Sequence, residues 1–243
     1  MGGVLWSAAL AVVGVLVWWR VRRRADRRVA LSRLCERAGL EFAPIDPFRD
    51  TTWVAHARFG HADQWAENVV WDANADDGLR VLDLHWIEEV GEDGDELRRA
   101  ATCAAIPVPF SCPRLTVEPR GIDDPFEAPG DEVRLELEEF GRRFRVRSAD
   151  RRFAFAFLDQ RMMRALLALP PEVLLDADEE TVVLWAPVLP PERVLLLFEA
   201  ARAIRRHIPR VVGDLYPRRP IVGPHERRWL QGRWSPEPTG DPA

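Results

Sequence analysis

Gln64-Trp65-Ala66-Glu67-Asn68-Val69-Val70-Trp71-Asp72, then Ala73-Asn74-Ala75-Asp76-Asp77-Gly78, then Leu79-Arg80-Val81-Leu82-Asp83-Leu84-His85-Trp86-Ile87-Glu88-Glu89 read as strand, turn and strand. Apolar and polar residues alternate on both sides of a segment rich in Asn, Asp and Gly, which is hairpin chemistry. The second strand places Leu82, Leu84 and Trp86 on one face and Val81, Asp83, His85 and Ile87 on the other. A hairpin commits this part of the chain to antiparallel pairing.

Working outward, an acidic loop over 88–96 leads to expected strands at 99–108 and 114–118, separated by Pro107, Pro109 and Pro113. Proline lacks the amide hydrogen and confines such strands to edges or ends. Residues 121–130 form a proline-punctuated loop. Residues 133–137 and 140–147 alternate again, with Phe144 and Val146 sharing a side. Asp150 can cap a helix over 151–169, with a break near Asp159. Strands at 172–176 and 181–188 would form a second hairpin around 177–180. Pro191 opens a last helix to about His207, with Leu195, Leu196, Phe198 and Ile204 as its apolar contacts. Toward the N-terminus, Val29, Leu31, Leu34, Cys35 and Ala38 recur at helical spacing over 26–40, where Gly39 suits the stop, and Pro44 and Pro47 mark a linker. The fold class that follows is α+β: an N-terminal transmembrane helix, then a mainly antiparallel sheet with a few packed helices.

The transmembrane helix rests on the first nineteen residues. From Gly3 to Trp19 there is no charge, and Arg20, Arg22, Arg23, Arg24, Arg27 and Arg28 follow at once. At ~1.5 Å rise per residue the apolar run spans about 26 Å, close to the ~30 Å hydrocarbon core of a bilayer. Trp6 near one end, and Trp18 and Trp19 at the other, stand where indole rings favour the interface. A cleaved signal peptide would need a basic stretch before the apolar run, and Met1-Gly2-Gly3 has none. The arginines lie on the C-terminal side alone, so the positive-inside rule puts the folded body in the cytoplasm: a single-pass protein of the cell membrane.

Charge is unevenly spread. The chain of 243 residues carries −5, yet residues 1–28 hold six arginines against Asp26 and residues 202–243 nine against four acids, so the body, 29–201, carries −15. An acidic body argues against a nucleic-acid partner. All 34 basic residues are arginine, a bias that a GC-rich genome accounts for. Cys35, Cys103 and Cys112 are odd in number with no C-x-x-C spacing, as expected of reduced, buried thiols. Apolar content of 47% suffices for a real core. The chain divides into an anchor with its Arg-rich flank (1–28), an α+β domain (29–209) with a possible sub-boundary near 120–132, and a basic, Pro-rich tail (210–243) expected to lack order.

Glu138-Glu139-Phe140-Gly141-Arg142-Arg143-Phe144-Arg145-Val146-Arg147-Ser148-Ala149-Asp150, continuing to Arg161-Met162-Met163-Arg164-Ala165-Leu166-Leu167, resembles a segment of uncharacterised actinobacterial membrane-anchored proteins, classed as a domain of unknown function. The resemblance implies the same anchored architecture and transfers no catalytic residue. It departs at Gly141, where Asn is expected, and at Asp159-Gln160, where a turn with Pro is expected.

Motifs for chemistry are weak. Asp72-x-Asn74-x-Asp76 imitates a calcium loop, but Asp77 and Asp83 stand where Gly and Glu are required. His56, His61, Asp63 and His85 could converge on a metal, without the spacing of a zinc motif. Cys103 among alanines reads as packing, and there is no P-loop, G-x-G-x-x-G or G-x-S-x-G. Arg142, Arg143, Arg145, Arg147, Arg151 and Arg152 form a basic cluster, expected to pair with the acidic body or face solvent. Trp229 and Trp234, set among arginines, suit a second contact with the leaflet. The reading that results is a membrane-tethered cytoplasmic binding or scaffold module with an unknown protein partner, holding the lipid bilayer through Trp18, Trp19, Arg20, Arg22, Arg23, Arg24, Trp229 and Trp234. No cofactor, metal or catalytic residue is named. The alternative is a membrane-tethered enzyme, hydrolase-like, with or without a metal, with a site built from residues distant in sequence.

Overall fold

The computed structural model describes residues 2–49, 51, 64–75, 77–90, 95–121 and 130–218, with the backbone alone for 2–14, 16, 17, 20, 89, 90 and 95. The hairpin that decides the fold is present. Strand β2 (Gln64–Trp71) pairs antiparallel with β3 (Arg80–Val90). Its turn is tied by side chains: the Asn74 amide donates to Asp72 Oδ1 at 2.9 Å and the Leu79 amide to Asp77 Oδ1 at 3.0 Å. These are Asx turns, which explains the Asp and Asn content without a cation.

Before the hairpin comes α1, one helix from Gly2 to Ala38, where the sequence suggests an anchor and a separate helix at 26–40. No residue between Trp19 and Asp26 breaks helical geometry, so the two segments fuse. Gly39 ends it at φ +67°, and the Leu40 amide reaches the Cys35 carbonyl at 2.9 Å. Strand β1 (Glu41–Ile45) follows where a linker is expected and lies at the sheet edge against β2. An edge strand tolerates Pro44, whose missing amide has no ladder partner to serve.

The long strands correct the sequence reading most. Strand β4 (Asp95–Pro119) is continuous through all three prolines. Its residues 95–105 pair with β3 and its residues 115–119 with β6 (Phe144–Ser148). Between them Pro107, Pro109 and Pro113 fall where neither β3 nor β6 pairs with β4, so a missing amide is tolerated there. Strand β7 (Leu174–Pro187) is likewise unbroken and runs antiparallel to β4. The expected turn at 177–180 is instead an irregular stretch with Glu179 at φ +51°, opposite the register shifts at Pro107 and Cys112. The sheet has seven strands in the order β1-β2-β3-β4-β6-β5, with β7 paired to β4. Strand β5 is only Asp131–Glu132, short of the alternation expected over 133–137, and residues 140–143, expected to open the 140–147 strand, belong instead to the short helix α2 (Glu138–Arg143) around buried Phe140.

Asp150 caps α3 (Arg151–Phe157) by accepting from the Arg152 and Phe153 amides, and Asp159 caps α4 (Gln160–Leu167) from the Met162 amide. The expected break is therefore a second cap. Helix α5 (Pro191–His207) has the expected bounds, but Leu196 is exposed and Val194, Leu197, Phe198, Ala201 and Ile204 make the buried stripe. The chain does not lose structure at Pro209. Helix α6 (Arg210–Leu215) buries Val212, and Tyr216 donates to Asp150 Oδ2 at 2.8 Å while its ring meets Phe153 edge-on.

Two apolar cores flank the sheet. Leu31 and Cys35 of α1 join Val81, Ala104, Leu184 and the helices α3–α5 in the larger one. Leu82, Leu84, Trp86, Cys103 and Trp185 form the second, on the opposite face, as the alternation of β3 requires. Asp83 and His85 thus face α1. The spanning segment expected at 3–19 lies largely on side chains outside the described ones. Among the described residues no helix is long and apolar enough to cross a membrane.

Candidate functional site

The inner face of α1 changes character along its length. Cys35 and Leu31 are buried in the larger core. One turn nearer the N-terminus, Arg27 and Arg28 meet carboxylates of the sheet. One turn nearer still, Arg24 and Val21 overhang an open groove.

The Arg27 partner is Asp83, whose side chain is 4% exposed. Cross-strand register sets Glu67, Asp83 and Thr102 side by side on the face under α1. Asp83 accepts four hydrogen bonds: from Arg27 Nε and Nη2, both at 2.9 Å, from Asn68 Nδ2 at 2.8 Å and from Thr102 Oγ1 at 2.8 Å. Arg27 Nη1 also donates to the Leu189 carbonyl, and the Leu189 amide to Thr102 Oγ1. Asn68 reaches in because the β2 register slips between Glu67 and Val70, with Asn68 at φ +55°. A buried carboxylate needs such complete pairing to offset its desolvation. The node therefore fixes α1 to β2, β3, β4 and the segment entering α5.

Next to it, Glu67 accepts from Arg28 at 3.0 Å and from Trp65 Nε1 at 3.2 Å. Burial opposes the Glu67 carboxylate, yet the Trp65 and Arg28 hydrogen bonds and the charges of His85 and Arg28 hold its pKa below the ordinary value. Trp65 stacks on His85, ring centroids 5.3 Å apart and planes 11° from parallel. Burial pushes the His85 pKa down, with Glu67 and Asp83 opposing and Arg24 and Arg27 adding to the depression.

Trp65, His85 and Ala100 form the next cross-strand row. With Val21, Arg24, Arg98 and Arg99 they line a groove of about 380 Å³. Arg99 is bound to Glu88 at 2.8 Å. Among the described residues Arg24 and Arg98 pair with no carboxylate. The groove is a local cationic exception on an acidic body.

Of the residues expected at the interface, Trp18 and Trp19 are exposed, with the Arg22 guanidinium 5.3 Å and that of Arg23 3.6 Å from their ring centroids. Arg24 is in the groove. The Arg20 side chain, Trp229 and Trp234 lie outside the described residues, as do His56, His61 and Asp63. Arg27 and Arg28, read as part of the basic flank, are bound into the domain. The calcium-like Asp72 pairs with Arg202 of α5, and Asp77 with Arg205 at 3.6 Å. Among the described residues no three His, Cys, Asp or Glu side chains are placed to hold a metal. Cys35, Cys103 and Cys112 are free and buried, and burial pushes the Cys35 thiol up to about 11 and raises that of Cys112. Such thiols are packing groups rather than nucleophiles. In the basic cluster, Arg143 donates to the Leu167 carbonyl at the end of α4 and to the Leu169 carbonyl just beyond it.

No family model and no curated protein matches the chain. A solved structure does: the crystal structure of the mycobacterial trehalose monomycolate transport factor A, TtfA, at a TM-score of 0.52 and 17% identity, covering 82% of this chain and 99% of that one. At that identity the likeness is one of fold.

The groove and the Asp83 node are what sequence reasoning missed. Arg24 is recognised only as charge beside a bilayer. Arg98 enters the groove through a register that pairs Trp65 with His85 and His85 with Ala100, which alternation alone does not fix.

Proposed function

We propose that the chain is a membrane-tethered accessory protein of a transport system, with its folded body on the cytoplasmic side and a binding role rather than a catalytic one. The observation that carries this reading is the continuity of α1. One helix runs from the apolar stretch beginning at Gly3 into the domain, where Arg27 is gripped by buried Asp83. A tether joined in this way holds the body at a fixed height and angle to the bilayer instead of on a loose leash. The apolar run, its indole pair and the one-sided arginines support a single-pass topology. The resemblance of 138–167 to actinobacterial anchored proteins points the same way. The transport role is supported by the fold shared with a protein named as a transport factor. A protein partner, embedded in or lying on the same membrane, belongs to the reading.

The test has two parts. Membranes washed in alkaline carbonate should retain the full chain, and protease added outside spheroplasts should leave the body uncut until the cells are permeabilised. Release by carbonate, or cleavage from outside, would remove the tether or its orientation. In cells lacking the chain, transport of trehalose monomycolate, the cargo in that protein's name, should fall while its synthesis continues; unchanged transport would remove the transport role.

A further inference from the structure

We propose that the groove between α1 and the β2–β3–β4 surface binds the phosphate of an anionic phospholipid headgroup, with Arg24 and Arg98 as the cationic ligands and Trp65, stacked on His85, as the wall. This rests on the tether reading for the source of the phosphate, and on the geometry for the site.

Three observations converge. The first is charge: Arg24 and Arg98 face the same opening from different elements and have no acidic partner among the described residues, whereas Arg27, Arg28 and Arg99 are each held by a carboxylate. Arg24 of the basic flank and Arg98 of the acidic body, with no carboxylate on either among the described residues, are arranged to receive an anion. The second is shape. The groove holds about 380 Å³ and is walled by the Trp65 indole and Val21 as well as by charge. A free phosphate has no use for the apolar side, whereas a headgroup with its glycerol and first methylenes does. The third is position. Val21 and Arg24 lie about one turn of α1 beyond Trp18 and Trp19, which are 59% and 47% exposed and suit the headgroup level. The groove therefore opens where α1 would leave the bilayer, within reach of a lipid that stays in its own leaflet. Arg22 and Arg23 are engaged with Trp18 and Trp19 and do not line the groove.

The test uses the full chain in dodecylmaltoside, titrated calorimetrically with dihexanoyl phosphatidylglycerol below its micelle concentration. Dihexanoyl phosphatidylcholine and inorganic phosphate serve as separate arms. Saturable binding of one phosphatidylglycerol is expected, with both other ligands clearly weaker. Arg24→Gln with Arg98→Gln should weaken phosphatidylglycerol about thirtyfold, the weight of two arginines at an anionic membrane surface. Arg142→Gln, on α2 and away from the groove, should leave it unchanged. Should the double variant melt early, Arg98→Gln alone, at an exposed position, replaces it with a smaller expected loss. Unchanged affinity in the variants overturns the site. Equal binding of phosphatidylcholine overturns the need for an anionic headgroup, and equal binding of inorganic phosphate makes it a free-phosphate site. Liposome flotation separates this from the tether: a chain that binds the soluble lipid but does not float keeps the groove and loses the anchor.

Discussion

Two carboxylates fasten the two ends of the folded body, and they do so in different solvents. Asp83 holds α1 at the N-terminal end; its side chain is 4% exposed and takes four hydrogen bonds. Asp150 holds the C-terminal segment; it is partly exposed, caps α3 with one oxygen and accepts the Tyr216 hydroxyl with the other. Away from water a carboxylate is all or nothing, because any partner removed leaves charge or polar groups that nothing else can satisfy. At the surface water replaces a lost partner, and the loss is graded. The N-terminal joint should therefore be brittle and the C-terminal one compliant.

The largest effect expected is at the brittle joint. Arg27→Ala leaves Asp83 buried and uncompensated and should cost about 3–5 kcal/mol of unfolding free energy, read by denaturant melts of the detergent-solubilised chain. Asp83→Ala should cost a similar amount through the stranded Arg27, Asn68 and Thr102. Replacing both, as Arg27→Met with Asp83→Leu, should recover part of the loss, since the two charges vanish together. Additive losses would mean that the pair is not coupled.

Asp150→Ala comes next. Loss of the cap on the Arg152 and Phe153 amides should cost about 1–2 kcal/mol. Tyr216→Phe should cost less, because its ring still meets Phe153. The Tyr216 hydroxyl pKa is pushed up to about 12 by burial and by the Asp150 bond. Its share of stability is then fully present below the ordinary tyrosine value near 10 and lost as pH rises through about 12. A pH-independent difference between wild type and Tyr216→Phe over that range would break the assignment.

These joints also mark what could be read beforehand. The cap at Asp150, the α5 start at Pro191 and the β2–β3 turn were legible because each depends on a few adjacent residues. Strands β4 and β7 were not. Proline and Asp-Glu clusters are sound local signals for a break, but in β4 the prolines sit where β3 and β6 do not pair. The Asp83 node was half legible: alternation placed Asp83 on the face opposite Leu82 and Leu84, but says nothing of what covers that face. Only the packing of α1 turns that face inward, and a flank of arginines beside an apolar run hides which of them serve lipid and which serve the fold. Arg27 and Arg28 lie only about one turn of helix from Arg24.

The smallest effect separates the two pairings of α1 by pH. Glu67 and His85 both have folded-state pKa values below their ordinary ones. For each, the unfolded chain binds the proton more readily, so the contribution is present above the ordinary pKa and lost as pH falls. For His85 that loss begins below about 6.5 and for Glu67 below about 4.3. Wild type minus His85→Gln should therefore fall in stability on going from neutral pH to 5, above the range in which Glu67, held below its ordinary value, takes up its proton. Arg28→Gln should cost at most about 1 kcal/mol, because its side chain is 39% exposed and the pair is screened, and its effect should shrink only at the lower pH where Glu67 protonates. If the Arg28→Gln loss instead vanished near pH 6, the imidazole rather than Glu67 would be setting the charge under α1. The Trp65–His85 stack would then belong to the joint and not to the groove.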